Sequence, residues 1–249
     1  MKPKKSDFES ILIYCDGACS GNPGKGGWGV IIVTPDGKVK ELGGGADLTT
    51  NNQMELTAVI KALKAISNIP GPVTVLTDSS YVIRGITQWI WGWRRKGWKN
   101  AEGNDVANRD YWEALAEQVQ KREKDSISWK FVKGHSGNPG NDRVDEIAVA
   151  FTQEKWVDLY NGSLLKYSVA VHDIPENTEV PEMKPKKEKG PAAHSYLSLL
   201  DGIPMRHKTW AECEWRVKGR SGAKFKKAMT ASDENKILDG WGIEPSKLK

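Results

Sequence analysis

The pattern of apolar and polar positions begins with residues 11–15 (Ile-Leu-Ile-Tyr-Cys), an apolar run of strand-forming residues. The run stops at a carboxylate, Asp16, and a turn rich in Gly, Asn and Pro follows. Residues 28–34 read as a second strand and Pro35, Asp36 and Gly37 as a turn. Residues 38–42 read as a returning strand, ended by Gly43, Gly44 and Gly45. These three strands predict an antiparallel meander. Capping side chains at Thr50, Asn51 and Asn52 then open a helix to about residue 68, with Val59, Ala62, Leu63 and Ile66 as its apolar stripe.

Pro70, Gly71 and Pro72 break that helix, and residues 73–77 form a buried strand ended by a second acid, Asp78. Helices are expected over residues 79–86, 109–121 and 141–155, with a strand over 127–132 and a flexible loop over 134–140. A helical crossover between the first and fourth strands makes those two parallel. The fold class is therefore α/β, a mixed sheet flanked by helices. Asp16 and Asp78 are expected at the carboxyl ends of neighbouring parallel strands, where sites form in open α/β sheets.

From residue 173 to 189 the period is lost, and Pro175, Pro181 and Pro185 mix with Glu and Lys. The expected domains are residues 1–160, a linker over 161–192, and a small α+β domain over 193–249. In that last domain residues 196–200 and 223–227 read as strands, a Thr209-capped helix follows residue 209, and residues 233–238 close as a helix.

Composition is ordinary for a globular chain, with 38% hydrophobic and 28% charged residues. The net charge of +5 suggests an anionic partner. Residues 191–249 hold 11 Lys and Arg against 7 Asp and Glu, so the last quarter carries nearly all of that charge. Three cysteines (Cys15, Cys19, Cys213) offer no disulfide framework and suit a reducing compartment. The apolar run behind the basic start is too short for a signal core or a membrane span. A cytoplasmic protein without a membrane partner is the expectation.

Each candidate residue has a plain reading beside the functional one. Asp16 caps the turn after it or ligates a metal. Glu55 lies four residues before Val59, on the core-facing side, and either covers core surface or ligates. Asp145 is favourable charge near a helix N-terminus or a fourth acid. His135 is an ordinary loop histidine or a proton carrier. Residues 89–99 carry four tryptophans and four basic residues with no acid. Trp89 and Trp93 are spaced to pack on each other, whereas Trp98 with Arg94, Arg95 and Lys96 suits a nucleic-acid backbone. Four carboxylates on one sheet edge cannot all stay ionised without cations. Mg²⁺ is the usual partner beside phosphates, and two ions about 3.5–4 Å apart clamp a phosphodiester.

Five stretches carry a resemblance: residues 14–24 (Tyr-Cys-Asp-Gly-Ala-Cys-Ser-Gly-Asn-Pro-Gly), 49–56 (Thr-Thr-Asn-Asn-Gln-Met-Glu-Leu), 77–82 (Thr-Asp-Ser-Ser-Tyr-Val), 85–90 (Gly-Ile-Thr-Gln-Trp-Ile) and 132–146 (Val-Lys-Gly-His-Ser-Gly-Asn-Pro-Gly-Asn-Asp-Arg-Val-Asp-Glu). In order and spacing they resemble the motifs of type 1 ribonuclease H, over roughly residues 8–155. That resemblance implies a five-stranded mixed sheet. It implies endonucleolytic cleavage of the RNA strand of RNA–DNA hybrids, leaving 5′-phosphate and 3′-hydroxyl ends. It implies metal-ligand roles for Asp16, Glu55, Asp78 and Asp145, with two Mg²⁺ ions or Mn²⁺ in their place. His135 would assist proton transfer or product release.

By the same resemblance, Gly17, Cys19, Asn22, Asn51 and Asn52 would face the hybrid's minor groove, where the 2′-hydroxyl separates RNA from DNA. Trp89 would lie beside the DNA strand. Thr50 and Asn108 would form a DNA-phosphate pocket, in which Leu48 stands where some members have Arg. Arg94, Arg95, Lys96, Trp98 and Lys99 would form a substrate-binding protrusion. The tail (208–213 Lys-Thr-Trp-Ala-Glu-Cys, 221–228 Ser-Gly-Ala-Lys-Phe-Lys-Lys-Ala, 233–238 Asp-Glu-Asn-Lys-Ile-Leu) is similar to the small hybrid-binding module of eukaryotic ribonucleases H and viroplasmins. Trp210 and Phe225 would stack on sugars, Lys226 and Lys227 would hold phosphates, and double-stranded RNA joins the hybrid as an expected partner. A monomer is expected. Two other readings compete: a nucleic-acid-binding protein with a vestigial catalytic fold, and another nuclease of the same superfold, such as a resolvase or an integrase.

Overall fold

The computed structural model describes residues 10–182 and 192–248, in two units that divide after Glu182. The first holds a six-stranded mixed sheet in the order β5-β4-β1-β2-β3-β6. The strands are β1 (Ile11–Gly21), β2 (Gly24–Val33), β3 (Lys38–Thr49), β4 (Val73–Thr77), β5 (Ile127–Phe131) and β6 (Asn161–Ser163). β1 pairs antiparallel with β2 and parallel with β4, and β4 pairs parallel with β5. The meander and the crossover are as the apolar pattern predicts.

Helix α1 (Asn51–Ala65) is set by a capping box, in which Thr50 and Gln53 satisfy each other's orphan N–H groups. Its stripe of Val59, Ala62 and Leu63 is buried with Ile11, Ile13 and Val75 of the sheet. The next helical stretch is α2 (Ser80–Arg84), a π-helical turn over Gly85–Trp89 and α3 (Ile90–Arg95). α4 (Arg109–Gln120) packs against α1. The opposite face carries α5 (Pro139–Thr152), which lies across β1, β2 and β3.

Three differences from the sequence reading reshape the unit. β1 does not stop at Asp16 but runs on to Gly21, because its pairing with β2 continues through Gly21–Gly24. β3 does not stop at its glycines but continues to Thr49. A Cβ at Gly43 would lie 2.3 Å from the Phe151 ring, so that glycine admits α5 onto the strand rather than ending it.

The third difference is larger. Residues 161–182, expected to be linker, belong to the first unit. β6 adds a sixth strand to the outer edge of β3. Tyr160, Leu164, Tyr167, Val169 and Ile174 pack on a cluster that includes Leu12, Tyr14, Leu76 and Val171. Val171 is 1% exposed, so this segment closes a core that α5 leaves open.

The second unit is the expected small α+β body. β7 (Ser195–Leu200), β8 (Ile203–His207) and β9 (Lys224–Ala228) form an antiparallel sheet in the order β8-β7-β9, beside α6 (Trp210–Val217) and α7 (Ala231–Gly240). The β8 strand is absent from the sequence reading, since Pro204 interrupts its apolar pattern. Asp201 and Gly202 make the connecting turn, both at positive φ. Leu197, Cys213, Ala228 and Leu238 are fully buried. All three cysteines are unpaired, and no described helix is long and apolar enough to cross a membrane.

Candidate active site

The parallel register fixes the first pair of acids. Tyr14 of β1 lies opposite Leu76 of β4, so Asp16 and Asp78, each two residues further on, are level with each other. Asp16 is only 7% exposed, and its carboxylate accepts the N–H of Gly17 at 2.6 Å. Burial, then the Asp78 charge, pushes its pKa up to about 8, with smaller contributions from Asp145 and Glu55.

Glu55 comes from the second turn of α1. Gly17 lets that helix approach, since a Cβ there would lie 2.2 Å from the Glu55 nitrogen. The Glu55 carboxylate accepts hydrogen bonds from Asn51 Nδ2 (2.9 Å) and Ser79 Oγ (2.5 Å). Burial raises its pKa to about 7, against the lowering effect of the Ser79 hydroxyl. Asp78, just past the end of β4, is raised by burial and then by the charge of Asp145.

Asp145 lies in the second turn of α5, because that helix starts at Pro139 and Asp142 is the acid of its first turn. Simple helix-dipole compensation therefore falls to Asp142, not Asp145. His135 sits on the β5–α5 loop at φ 52, with its side chain 85% exposed and Nδ1 3.9 Å from Asp145 Oδ2. The four acids and the histidine thus meet at one end of the sheet. Among the described residues no three acidic, histidine or cysteine groups already converge as a ready-made cation cage. The donor set still fits divalent cations: all-oxygen, partly desolvated, and carrying more negative charge than the site neutralises by itself.

The surrounding residues divide into two groups. Asn22 Oδ1 accepts the Asn51 N–H at 3.3 Å, which ties the β1–β2 turn to the start of α1. Cys19 Sγ points to the carbonyls of Thr49 (3.3 Å) and Gly24 (3.6 Å). Asn52 is exposed beside them. Thr50 caps α1, and Gln53 Nε2 reaches Asn108 Oδ1 at 3.2 Å, so Thr50, Gln53 and Asn108 are linked. Gln53 is absent from the candidate set, although the Thr–x–x–Gln spacing of a capping box marks it. Leu48 is 78% exposed.

The basic stretch is only partly as expected. Arg95 and Lys96 are exposed, Arg94 is half-buried, and Lys99 is paired with Asp105 at 2.6 Å. Trp89 packs against Tyr81 and Trp93 with part of its ring exposed. Trp98 is a correction: it is 8% exposed and belongs to the core. Gly97 and Trp98 both take positive φ, turning the chain so that the indole goes inward under Arg109, whose guanidinium lies 5.3 Å from the ring centroid. The exposed tryptophan is Trp91, at 60%. Nothing in the spacing separates the two, because burial here depends on that turn.

In the second unit Tyr196, Trp210 and Phe225 form a run of rings, with centroids 5.9 and 5.4 Å apart. Trp210 is 40% and Phe225 50% exposed, and Lys226 and Lys227 flank them on the surface.

The RNase H family model matches residues 8–153. A ribonuclease H from Cyanothece sp. is 51% identical over 152 residues, 61% of this chain and 94% of that protein. Ribonuclease HI from Pseudomonas aeruginosa is 48% identical over 143 residues, 57% of this chain and 93% of that protein. Among solved structures, LC9-RNase H1, a type 1 RNase H with the type 2 active-site motif, superposes with a TM-score of 0.54 at 28% identity, covering 64% of this chain and 80% of that one. The foamy viral protease-reverse transcriptase in complex with RNA/DNA hybrid shares the fold at 23% identity and a TM-score of 0.52, covering 62% of this chain and 22% of that one.

Proposed function

This chain belongs to the RNase H family and is a ribonuclease H hydrolase, and on that premise we propose that it cuts the RNA strand of RNA–DNA hybrids endonucleolytically at the site of Asp16, Glu55, Asp78 and Asp145. The observation that carries this reading is the mutual electrostatics of the acids. Burial together with the neighbouring charges raises Asp16, Glu55 and Asp78, which suits a site completed by cations.

The four carboxylates would hold two Mg²⁺ ions, or Mn²⁺. When bound, such ions supply the positive charge that stabilises the attacking and leaving oxygens of a phosphodiester. The protein's own part is orientation. Asn51 and Ser79 hold the Glu55 carboxylate, and the Gly17 N–H holds that of Asp16. His135, exposed on the β5–α5 loop, carries a proton to or from the cut ends, which are a 5′-phosphate and a 3′-hydroxyl. Gly17, Cys19, Asn22, Asn51 and Asn52 line the edge that meets the RNA, where the 2′-hydroxyl is read. Thr50 and Asn108 grip the DNA phosphates, and Trp89, Arg94, Arg95, Lys96 and Lys99 track the DNA strand.

The second unit binds hybrid, and double-stranded RNA as the alternative, through Trp210, Phe225, Lys226 and Lys227. The chain acts as a monomer in the cytoplasm, a reading its three unpaired cysteines support. The test is a labelled RNA–DNA hybrid, a DNA duplex and an RNA duplex, each incubated with Mg²⁺ or EDTA. Cleavage is expected only of the hybrid's RNA strand, only with Mg²⁺, and not by Asp78→Asn. An uncut hybrid in Mg²⁺, or an active Asp78→Asn protein, overturns the reading.

A further inference from the structure

Residues 155–182 lie beyond the stretch that the family model matches, yet they are built into the first unit. They meet, in turn, residues next to Asp16, Asp78, Asp145 and the His135 loop. The Asp158 carbonyl accepts from Arg143 at 2.6 Å, and Arg143 grips the buried Glu41 carboxylate with two bonds of 2.8 Å. Glu41 also takes the Tyr167 hydroxyl (2.6 Å) and the Tyr160 N–H (2.9 Å). The Val171 carbonyl accepts the Tyr14 hydroxyl at 2.9 Å. The Asp173 carbonyl accepts Asn138 Nδ2 at 2.7 Å. The Thr178 carbonyl accepts the Phe131 N–H at 2.9 Å, and the Pro181 carbonyl accepts from Arg84.

These partners are not scattered. Tyr14 precedes Asp16 by two residues on β1, and Arg143 precedes Asp145 by two on α5. Arg84 ends the helix that follows Asp78. Asn138 caps α5 and closes the loop that carries His135. We propose that residues 155–182 are a brace that sets α5 and the His135 loop against β1, with Asn138 as the positioning residue through which it acts. The proposal rests on the roles given above to Asp145 and His135.

Asn138 suits this task because its amide does two things at once. Oδ1 accepts the Asn141 N–H at 3.0 Å and starts the helix, while Nδ2 donates to the brace. The loop before it holds His135 and Gly137 at positive φ, conformations that the backbone does not favour for His. Its geometry therefore depends on how its ends are held. A shift of about 1 Å at a reacting group costs on the order of 100-fold in rate, so the tie has kinetic weight out of proportion to one hydrogen bond.

The full-length Asn138→Ser protein tests this, since the shorter Ser keeps a capping acceptor but has no second polar atom to reach the Asp173 carbonyl as Nδ2 does. Tyr14→Phe, which cuts the tie at Val171, is the second variant. On hybrid, well below the melting temperature, kcat falls about tenfold while KM stays within about twofold. Amide exchange over residues 133–145 quickens about tenfold, and α1 is unchanged. Unchanged exchange over 133–145, uniform quickening across the unit, or full kcat despite local quickening each overturns the brace. If the wild type leaves hybrid uncut, the reading of the acids has failed, and exchange alone still decides whether the brace orders the loop.

Discussion

The Ser79 hydroxyl donates to the Glu55 carboxylate at 2.5 Å while its oxygen accepts the Val82 N–H at 3.2 Å, so one side chain caps α2 and aims an acid of α1. Losing a partner behind a metal-binding carboxylate costs about 10–100-fold in metal affinity or activity. Ser79→Ala is therefore expected to raise the Mg²⁺ concentration for half-maximal cleavage by that factor. Loss of the cap costs about 1 kcal/mol of stability. A Mg²⁺ titration of cleavage decides it: an unmoved midpoint removes the aiming role.

The raised acids give a pH prediction. Asp16 near 8 and Glu55 near 7 bind protons in the folded state that the unfolded chain has already released. Stability from these protonated groups is complete below the ordinary carboxylate range and is lost as pH rises through about 7 to 8. In EDTA the first unit should melt progressively lower across that window. Under the proposed cation role, Mg²⁺ would bind the ionised folded site and add about 2.7 kcal/mol at a hundredfold excess over Kd. Its stabilisation should be larger near pH 8 than near pH 5. Thermal melts at both pH values check this, and equal shifts would refute it.

Glu41 has the opposite sign. Burial pushes its pKa up, but the Arg143 ion pair and the hydrogen bonds of Tyr167 and Tyr160 win, and it is lowered overall. Its contribution is complete above the unfolded carboxylate value and is lost as pH falls through the lower folded one. Tyr167→Phe removes a bond to a charged acceptor, at about 1.5–3 kcal/mol. That variant should lose its folded state at a higher pH on acidification than the wild type does. Coincident acid-unfolding curves would show that Tyr167 contributes nothing.

The two tryptophans of the protrusion should separate cleanly. Trp98→Ala empties a core position and should cost about 3–5 kcal/mol of stability. Trp91→Ala leaves stability within about 0.5 kcal/mol and weakens hybrid binding by about 1–3 kcal/mol if the exposed ring stacks on the substrate. Denaturant melts and equilibrium binding read both, and the reverse assignment would overturn the placement of Trp98.

In the second unit, Lys226→Ala with Lys227→Ala should flatten the salt dependence of hybrid binding, by roughly one unit of slope per lost phosphate contact. An unchanged slope, measured across a salt series on the full chain, removes these lysines from the interface.

How much of this was legible beforehand varies residue by residue. Asp16 and Asp78 stand out in the sequence because each follows an apolar run, and Glu55 because it intrudes on a helix's core face; it is the resemblance that joins them with Asp145 as ligands. The start of α5 lies two residues before the one its pattern predicts, at Pro139, which moves Asp145 into the second turn. The end of β1 was misplaced because its last residues are held by pairing with β2, not by their own propensity.

The sequence by itself therefore determined the α/β class and the order of the elements other than β6 and β8, which follow from periodicity along the chain, while the four acids are singled out by the motifs they sit in. The tertiary structure alone decided that Asp16 is level with Asp78, that Trp98 is inside and Trp91 outside, and that residues 161–182 complete the first unit instead of linking it onward. Those outcomes depend on contacts between residues far apart in sequence, such as Glu41 with Arg143 and Tyr14 with Val171. The stretch gains order from the surface it covers, because Leu164, Tyr167, Val169 and Val171 have a core to join only once the sheet has formed.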